Sequence, residues 1–316
     1  MVTNWDMNRT GGTETLAVRL VRALNAMGHS AFILTPTRGA FALWNQDVEV
    51  VLPFEPMQVE KALDLARAEY RKKRTDAGKA RIAELEAQVM PKPDAAILMH
   101  PRIFPGVTFP EKKVYLALGW VGAESPVMGA APYVAFSDEV ATWLSFYGIE
   151  SEVCFASVDL DRHTPGPALR ATNPRVTQIA SRPRDVEIIK RSCERAGFEY
   201  VDKRCGAPIR NLPEVYQDVD IVIGTETCIK EAMACGRAAY VLGPFGCDGW
   251  VTPTNWRDHE RHAFRGTLDP RPLTVDGLAE ELSGYSPFMG RPNRLIAEEN
   301  WDVRKLAARL LEIACG

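Results

Sequence analysis

The sequence predicts an α/β protein built from two doubly wound, Rossmann-like parallel sheets. Short apolar runs of strand length alternate with amphipathic helical stretches along almost the whole chain. The alternation occurs twice, on either side of a polar, proline-bearing stretch at 162–174 that reads as a linker. Each half also opens a helix behind a glycine, in MVTNWDMNRTGGTETLAVRL and in DIVIGTETCIKEAMACG. A length of 316 residues suits two domains of about 150 each.

In the first half, residues 1–5 read as the last piece of a short strand. Its shortness gives the expectation of a late start or a trimmed first strand. Thr10 or Thr13 is expected to cap a helix whose apolar positions Leu16, Leu20, Val21, Leu24 and Met27 keep a helical period. Gly28 supplies its left-handed stop. Strands are expected at 31–35, 48–52, 95–99, 114–118, 133–136 and 153–156. The run Ala95-Ala96-Ile97-Leu98-Met99 lacks polar alternation, as suits a parallel strand buried on both faces. A helix-forming stretch covers 57–89 with a break expected near Gly78, and a second helix over 139–147 is capped by Ser137 and closed by Gly148. In the second half, strands at 176–180, 198–201, 220–223 and 238–242 alternate with helices at 184–196, 212–217 and 226–235. The last fifty residues read as helical, ending in a helix over 301–314.

Bulk properties exclude several classes. Apolar residues make up 46% and charged residues 25%, the balance of an ordinary soluble globular protein. A net charge of −3 offers no bulk positive field, so nucleic-acid binding is not expected. No run of 18 apolar residues provides a spanning helix. Asp6 and Gly11-Gly12 interrupt the apolar stretch that a secretory leader needs. Seven cysteines, odd in number and without a C-x-x-C pair, read as reduced thiols in a cytoplasmic protein. Residues 67–81 hold seven basic and two acidic side chains, read first as a solvated helix face. An anionic acceptor, peripheral contact with the inner membrane surface and a nucleic-acid backbone are the alternatives that this basic stretch keeps open.

A glycine loop leading into a helix leaves unpaired N–H groups beside the positive end of the helix dipole, a natural place for a phosphate. At the carboxyl ends of parallel strands it opens into the crevice where such sheets bind ligands. The helix end is worth roughly 0.3–1 kcal/mol to an anion, so selectivity needs further groups. Helix capping without a ligand explains either glycine turn equally well.

The second stretch, with EAMACG at Glu231 to Gly236, resembles the nucleotide-sugar segment of GT-B glycosyltransferases, particularly glycosyltransferase family four. Other marks follow in the family's order: Gly11-Gly12 before a helix that leads to Gly28-His29 and Thr35, AFSDEVATWLSFYGI at 135–149, SVDLDRHTP at 157–165, and ASRPR at 180–184. The resemblance covers nearly the whole chain. It implies two Rossmann-like domains facing across a cleft: 1–164 for the acceptor, 165–300 for the nucleotide sugar, and a terminal helix, 301–316, crossing back to the first. It further implies a metal-independent hexosyltransferase that moves a sugar from a nucleotide diphosphate sugar to a hydroxyl on a glycan, lipid-linked or small-molecule acceptor. Retention of configuration is the expected outcome. A nucleotide-sugar epimerase of the same fold and a non-catalytic nucleotide-sugar-binding module are the alternatives. A dehydrogenase lacks support, because no G-x-G-x-x-G follows the first strand.

The resemblance also assigns roles. Glu231 matches the glutamate that binds the ribose hydroxyls, and Arg182, with Arg184 beside it, matches the arginine that pairs with the diphosphate. Gly12, Gly224, Thr225 and Thr227 complete the expected donor-binding set. His100, Asp6 and Glu226 are the catalytic candidates, with Glu14 a further carboxylate beside the first glycine loop. The family places its second glutamate eight residues before the first, which is Ile223 here; Glu226 lies only five residues ahead, so the pattern is shifted. Neither Asp159, Asp161 and His163 nor the pair His259 and His262 has the ligand set of a known metal site. No metal and no cofactor is expected, the nucleotide sugar being a substrate.

Overall fold

A computed structural model describes residues 1–4, 7, 11–36, 45–51, 65–68, 75–86, 92–100, 109–119, 126, 131–179, 185–202 and 211–316. Two sheets organise these residues. The first contains β1 (Val2–Thr3), β2 (Ile33–Leu34), β3 (Val50–Val51), β4 (Ala95–Leu98), β5 (Lys112–Ala117), β6 (Tyr133–Ala135) and β7 (Ser151–Val153) in the order β3-β2-β1-β4-β5-β6-β7. β1 pairs in parallel with β2 and with β4, placing Val2 beside Ile33 and Ile97. The second contains β8 (Arg175–Gln178), β9 (Glu199–Tyr200), β10 (Ile221–Gly224), β11 (Ala238–Leu242) and β12 (Cys247–Trp250) in the order β12-β11-β10-β8-β9. Its pairs are parallel except β11 with β12. Both orders are doubly wound, as the alternation of strands and helices requires.

The chain forms two compact units. One comprises Met1–Leu116, Trp120–Pro132 and Leu310–Gly316, the other Ala117–Gly119 and Tyr133–Arg309.

In the first unit α1 (Gly12–Ala26) buries Leu16, Leu20, Val21 and Leu24 of the stripe read from its period, whereas Met27 is the C-cap and exposed, because the helix ends one residue before it. It ends where expected, with Gly28 at φ +89°. Its cap is different. Gly11 is the N-cap, and Thr13 lies inside the helix, its hydroxyl 3.1 Å from Glu14 Oε2; Thr10 lies outside the described residues. The break expected near Gly78 falls instead at Thr75, whose hydroxyl accepts from the Gly78 N–H at 3.1 Å and opens α2 (Asp76–Glu86).

In the second unit α3 (Asp138–Ser145) has the expected Ser137 cap, which accepts from the Val140 N–H at 3.2 Å. The second sheet is covered on both faces. Val176, Ile221, Ile223 and Tyr240 pack with Ile189 and Cys193 of α4 (Val186–Ala196) and with Leu278 and Leu282 of α8 (Val275–Leu282). Ala239 and Val241 belong with Ile229 and Met233 of α6 (Thr227–Ala234), Trp256 of α7 (Trp256–Arg261), Phe264 and Trp301. Each such large side chain contributes about 1.5–3 kcal/mol on burial. Val222, Ala232 and Tyr216 of α5 (Leu212–Gln217) form a third cluster. The antiparallel edge strand β12 was not foreseen, because C-D-G-W has neither apolar alternation nor a β-branched run. The final helix starts at Val303 rather than at 301: Trp301 ends α9 (Gly290–Asn300), and the Asp302 carboxylate accepts from the Arg304 N–H at 2.9 Å to open α10 (Val303–Cys315). Among the described residues no helix is long and apolar enough to cross a membrane.

Candidate functional site

Where a doubly wound sheet reverses its strand order, the loops leaving two adjacent strands diverge and open a crevice at the strands' carboxyl ends. The second sheet reverses between β8 and β10. Gly224 closes β10 at this point. A Cβ there would stand 2.9 Å from the Ile179 carbonyl oxygen just past β8, so a side chain does not fit where the strands converge.

Thr225 and Glu226 make the turn into α6. Glu226 sits at φ +54°, ψ −131°. A non-glycine residue pays of order 1–3 kcal/mol for such a backbone, which persists only where neighbours enforce it. The enforcing contacts come from the turn after α7. Thr225 Oγ1 at 2.9 Å and the Glu226 N–H at 3.1 Å both donate to the Phe264 carbonyl. The turn at 262–266 is itself constrained: Ala263, Phe264 and Gly266 all have positive φ, and the Arg265 carbonyl packs so closely on Gly243 that a Cβ there would collide with it.

This turn carries Arg265. Its Nε donates to Glu226 Oε1 at 2.8 Å, and its Nη1 stands 3.6 Å from Glu139 Oε2 in the first turn of α3. Thr267 Oγ1 donates to Glu139 Oε1 at 3.4 Å, and His262 Nδ1 is 3.8 Å from the same oxygen. The Arg265 side chain is 17% exposed and that of Glu226 53%, so a largely covered guanidinium supports an accessible carboxylate.

Glu231 lies one turn beyond Thr227 on the same face of α6. It is buried, and its Oε2 accepts from the Tyr216 hydroxyl at 2.6 Å. Burial first, then Cys228 and Glu231, push the Tyr216 hydroxyl well above its ordinary pKa, so it remains a donor. From its inner side α6 is anchored by Lys230. Nζ lies 2.5 Å from Glu260 Oε1, donates to the Ala156 carbonyl at 2.8 Å and sits 4.9 Å from the Trp301 ring centroid. Trp301 Nε1 donates to the same Glu260 oxygen at 2.7 Å. The Thr227 and Cys228 N–H groups occupy the first two positions of α6, ahead of its internal ladder and beside the positive end of its dipole. Chemically, the turn sets the positive end of a helix next to a carboxylate that accepts hydrogen bonds.

The first sheet reverses between β1 and β4. Gly12 begins α1 after β1, and His100 follows β4, buried and at φ +58°. Thr3 Oγ1 donates to the Met99 carbonyl at 2.6 Å across the pair. The predicted residues therefore gather in two places: Gly224, Thr225, Glu226, Thr227 and Glu231 around α6, Gly12 and His100 at the ends of β1 and β4. Asp6, Arg182 and Arg184 lie outside the described residues. Arg265, Glu139 and Tyr216 escape the sequence reading. Arg265 is 39 positions from Glu226, and only the following Gly266 hints at a special turn.

Neither a protein-family model nor a curated protein matches the sequence. Among solved structures the chain is similar to a glycosyltransferase from Rickettsia africae ESF-5, with TM-score 0.57 and 13% identity over 99% of this chain and 97% of that one. AviGT4, a glycosyltransferase involved in avilamycin A biosynthesis, matches with TM-score 0.57 and 12% identity over 99% and 96%. WaaG, a glycosyltransferase involved in lipopolysaccharide biosynthesis, matches with TM-score 0.55 and 14% identity over 100% and 99%. At these identities the likeness is one of fold: the chain has the GT-B fold of two Rossmann-like domains.

Proposed function

We propose that the chain is a glycosyltransferase that moves a sugar from a nucleotide diphosphate sugar to an acceptor hydroxyl. The observation that carries this reading is the turn from Gly224 to Thr227, held at the strand-order reversal of the second sheet and opening onto the N-terminus of α6. The full-length likeness to glycosyltransferases of this fold supports it. Kinship with family four rests on the EAMACG segment.

In this reading the diphosphate meets the N–H groups of Thr227 and Cys228, with Arg182 and Arg184 as its proposed basic partners. Glu231, fixed by Tyr216, is assigned to the ribose diol. Glu226 accepts from hydroxyls of the transferred sugar, and Gly12, His100 and Asp6 serve the sugar and acceptor. The bond from the anomeric carbon to the diphosphate oxygen breaks, and the acceptor oxygen forms the new bond to that carbon. The acceptor's proton passes to the departing diphosphate, and configuration is retained. Positioning and neutralisation of the leaving group by amides and arginines supply the catalysis, without a metal.

A panel of nucleotide sugars, incubated with the protein in the presence and absence of cell extract and followed by nucleoside diphosphate release, tests the reading. Extract-dependent release with one donor is expected, unaffected by EDTA. Conversion of the sugar without acceptor assigns an epimerase instead, and tight nucleotide binding without turnover in any extract assigns a binding module.

A further inference from the structure

The proposed reading leaves a question at Glu226. A single carboxylate on a strained turn, with a side chain 53% exposed, is a poor reader of hydroxyl geometry unless something fixes its rotamer. Glutamate has three side-chain torsions, and ordering such a chain carries an entropic cost. Unrestrained, the carboxylate would be ordered only at the substrate's expense.

The structure supplies the restraint from a distant segment. Arg265 Nε holds Glu226 Oε1 at 2.8 Å, and Glu226 Oε2 receives no hydrogen bond from the described residues. Arg265 is in turn fixed at both ends. Its carbonyl packs against Gly243, in the loop that leaves β11, while its guanidinium reaches Glu139 on α3. The Phe264 carbonyl, one residue earlier, takes the Thr225 hydroxyl and the Glu226 N–H. Main chain and side chain of Glu226 are thus set by the same five-residue turn. The group joins the Glu226 and Glu139 carboxylates to the Arg265 guanidinium, with His262 Nδ1 3.8 Å from Glu139 Oε1, and its outward oxygen, on Glu226, is a carboxylate acceptor.

We propose that Arg265 is a positioning residue for Glu226, holding the carboxylate so that Oε2 accepts from hydroxyls of the sugar carried by the nucleotide, and that the cluster selects neutral polyhydroxylated sugars over sugars bearing a carboxylate. The inference rests on the nucleotide-sugar reading of the α6 site. It separates two parts of one ligand: Arg265 acts on the sugar through Glu226, whereas the diphosphate is held by other groups.

Calorimetric titration provides the test, with the uridine, guanosine, adenosine and thymidine diphosphates, each alone and as its glucose conjugate, and with UDP-glucuronate as the acidic sugar. Wild type is expected to bind one base's glucose conjugate more tightly than the bare diphosphate. In Arg265→Ala and in Glu226→Ala this increment falls about tenfold, the scale of a hydrogen bond to a charged group, while affinity for the bare diphosphate is kept. The double variant loses no more of the increment than either single variant, because one interaction is removed twice. Arg265→Lys restores part of it. Retained diphosphate binding shows that the variants fold. If no diphosphate or conjugate binds wild type, the nucleotide-sugar reading itself fails. If wild type gains nothing from glucose, if Arg265→Ala keeps the gain, or if that variant weakens diphosphate and conjugate equally, the positioning role is overturned. A UDP-glucuronate affinity equal to that of UDP-glucose in a uridine-binding wild type overturns the preference for neutral sugars.

Discussion

The tetrapeptide GTET opens a helix in each half of the chain, and the two copies are used in different ways. In the first, Gly12, Thr13, Glu14 and Thr15 are the opening residues of α1 itself, following the N-cap Gly11. Glu14 stands at the third helical position, where a glutamate reaches back to the cap. Its carboxylate is buried over Gly11, in the space a Cβ on that glycine would need. In the second, Gly224 ends a strand, Thr225 and Glu226 form the turn, and only Thr227 is helical. The offset between the copies is three residues. It turns one glutamate inward, to complete its own helix, and leaves the other outward on a left-handed backbone, steadied by Arg265. A helix start whose glutamate folds back on its own cap keeps that carboxylate for itself; one steadied by a distant turn keeps an acceptor in reserve.

Removing the outside support of the second helix gives the largest expected effect. Lys230→Ala leaves Glu260 buried with, among the described residues, only the Trp301 N–H, and breaking a buried pair from one side costs about 3–5 kcal/mol. A urea titration showing a loss below about 1 kcal/mol would mean that α6 does not depend on this anchor. The two glutamates give the next test, because the same residue type should respond with opposite signs. Glu14→Ala is expected to lower stability by about 1 kcal/mol, as loss of a cap does. Glu226→Gly should raise it by about 1 kcal/mol through relief of the backbone strain, while lowering the affinity increment from the sugar about tenfold, as Glu226→Ala does. Changes of the same sign in both variants would erase the distinction between the two helix starts.

The smallest effect is the part of the pH dependence that one residue of the second region contributes. His259 is buried and stacks on Phe264, with ring centroids 6.1 Å apart. Burial holds its pKa below the ordinary 6.5, outweighing the opposite pull of Asp248 and Asp258. The native state therefore binds this proton more weakly than the unfolded chain. Its contribution to stability is complete above 6.5 and is lost as pH falls from there through the folded value. Thermal unfolding followed from about pH 7.5 to about 5.5 should show a steeper decline for wild type than for His259→Phe. Parallel curves would remove His259 as the cause.

Much of the fold was legible because its signals are local. The apolar stripe of α1, the Ser137 cap of α3 and the run at Ala95–Leu98 each depend on residues within a few positions of one another. The errors have local explanations as well. Thr13 is a good capping residue, yet Gly11 takes that place because Glu14 needs the space above it. Gly78 looks like a helix breaker, yet it sits in the first turn of α2, where its N–H has the Thr75 hydroxyl as partner. Asp302 caps α10 two residues into the stretch expected to be helical. At the candidate site the sequence pointed to Gly224, Thr225, Glu226, Thr227 and Glu231, which are contiguous or one helical turn apart. It gave no sign of Tyr216, fifteen positions before Glu231, or of Glu139 and Arg265.

By itself the sequence determined that strands and helices alternate twice, that glycines stand where strands pass into helices, and that a carboxylate and helix-end amides lie beside one another near residue 226. These follow from side-chain period and backbone freedom, which act over a few residues. Only the tertiary structure decided which glutamate is closed in and which is presented, and that Arg265, itself held by Glu139, supports the presented one. Hydrogen bonds and ion pairs depend on separation in space, and a chain that brings residues 139, 226 and 265 together carries no record of that meeting in the spacing of its letters.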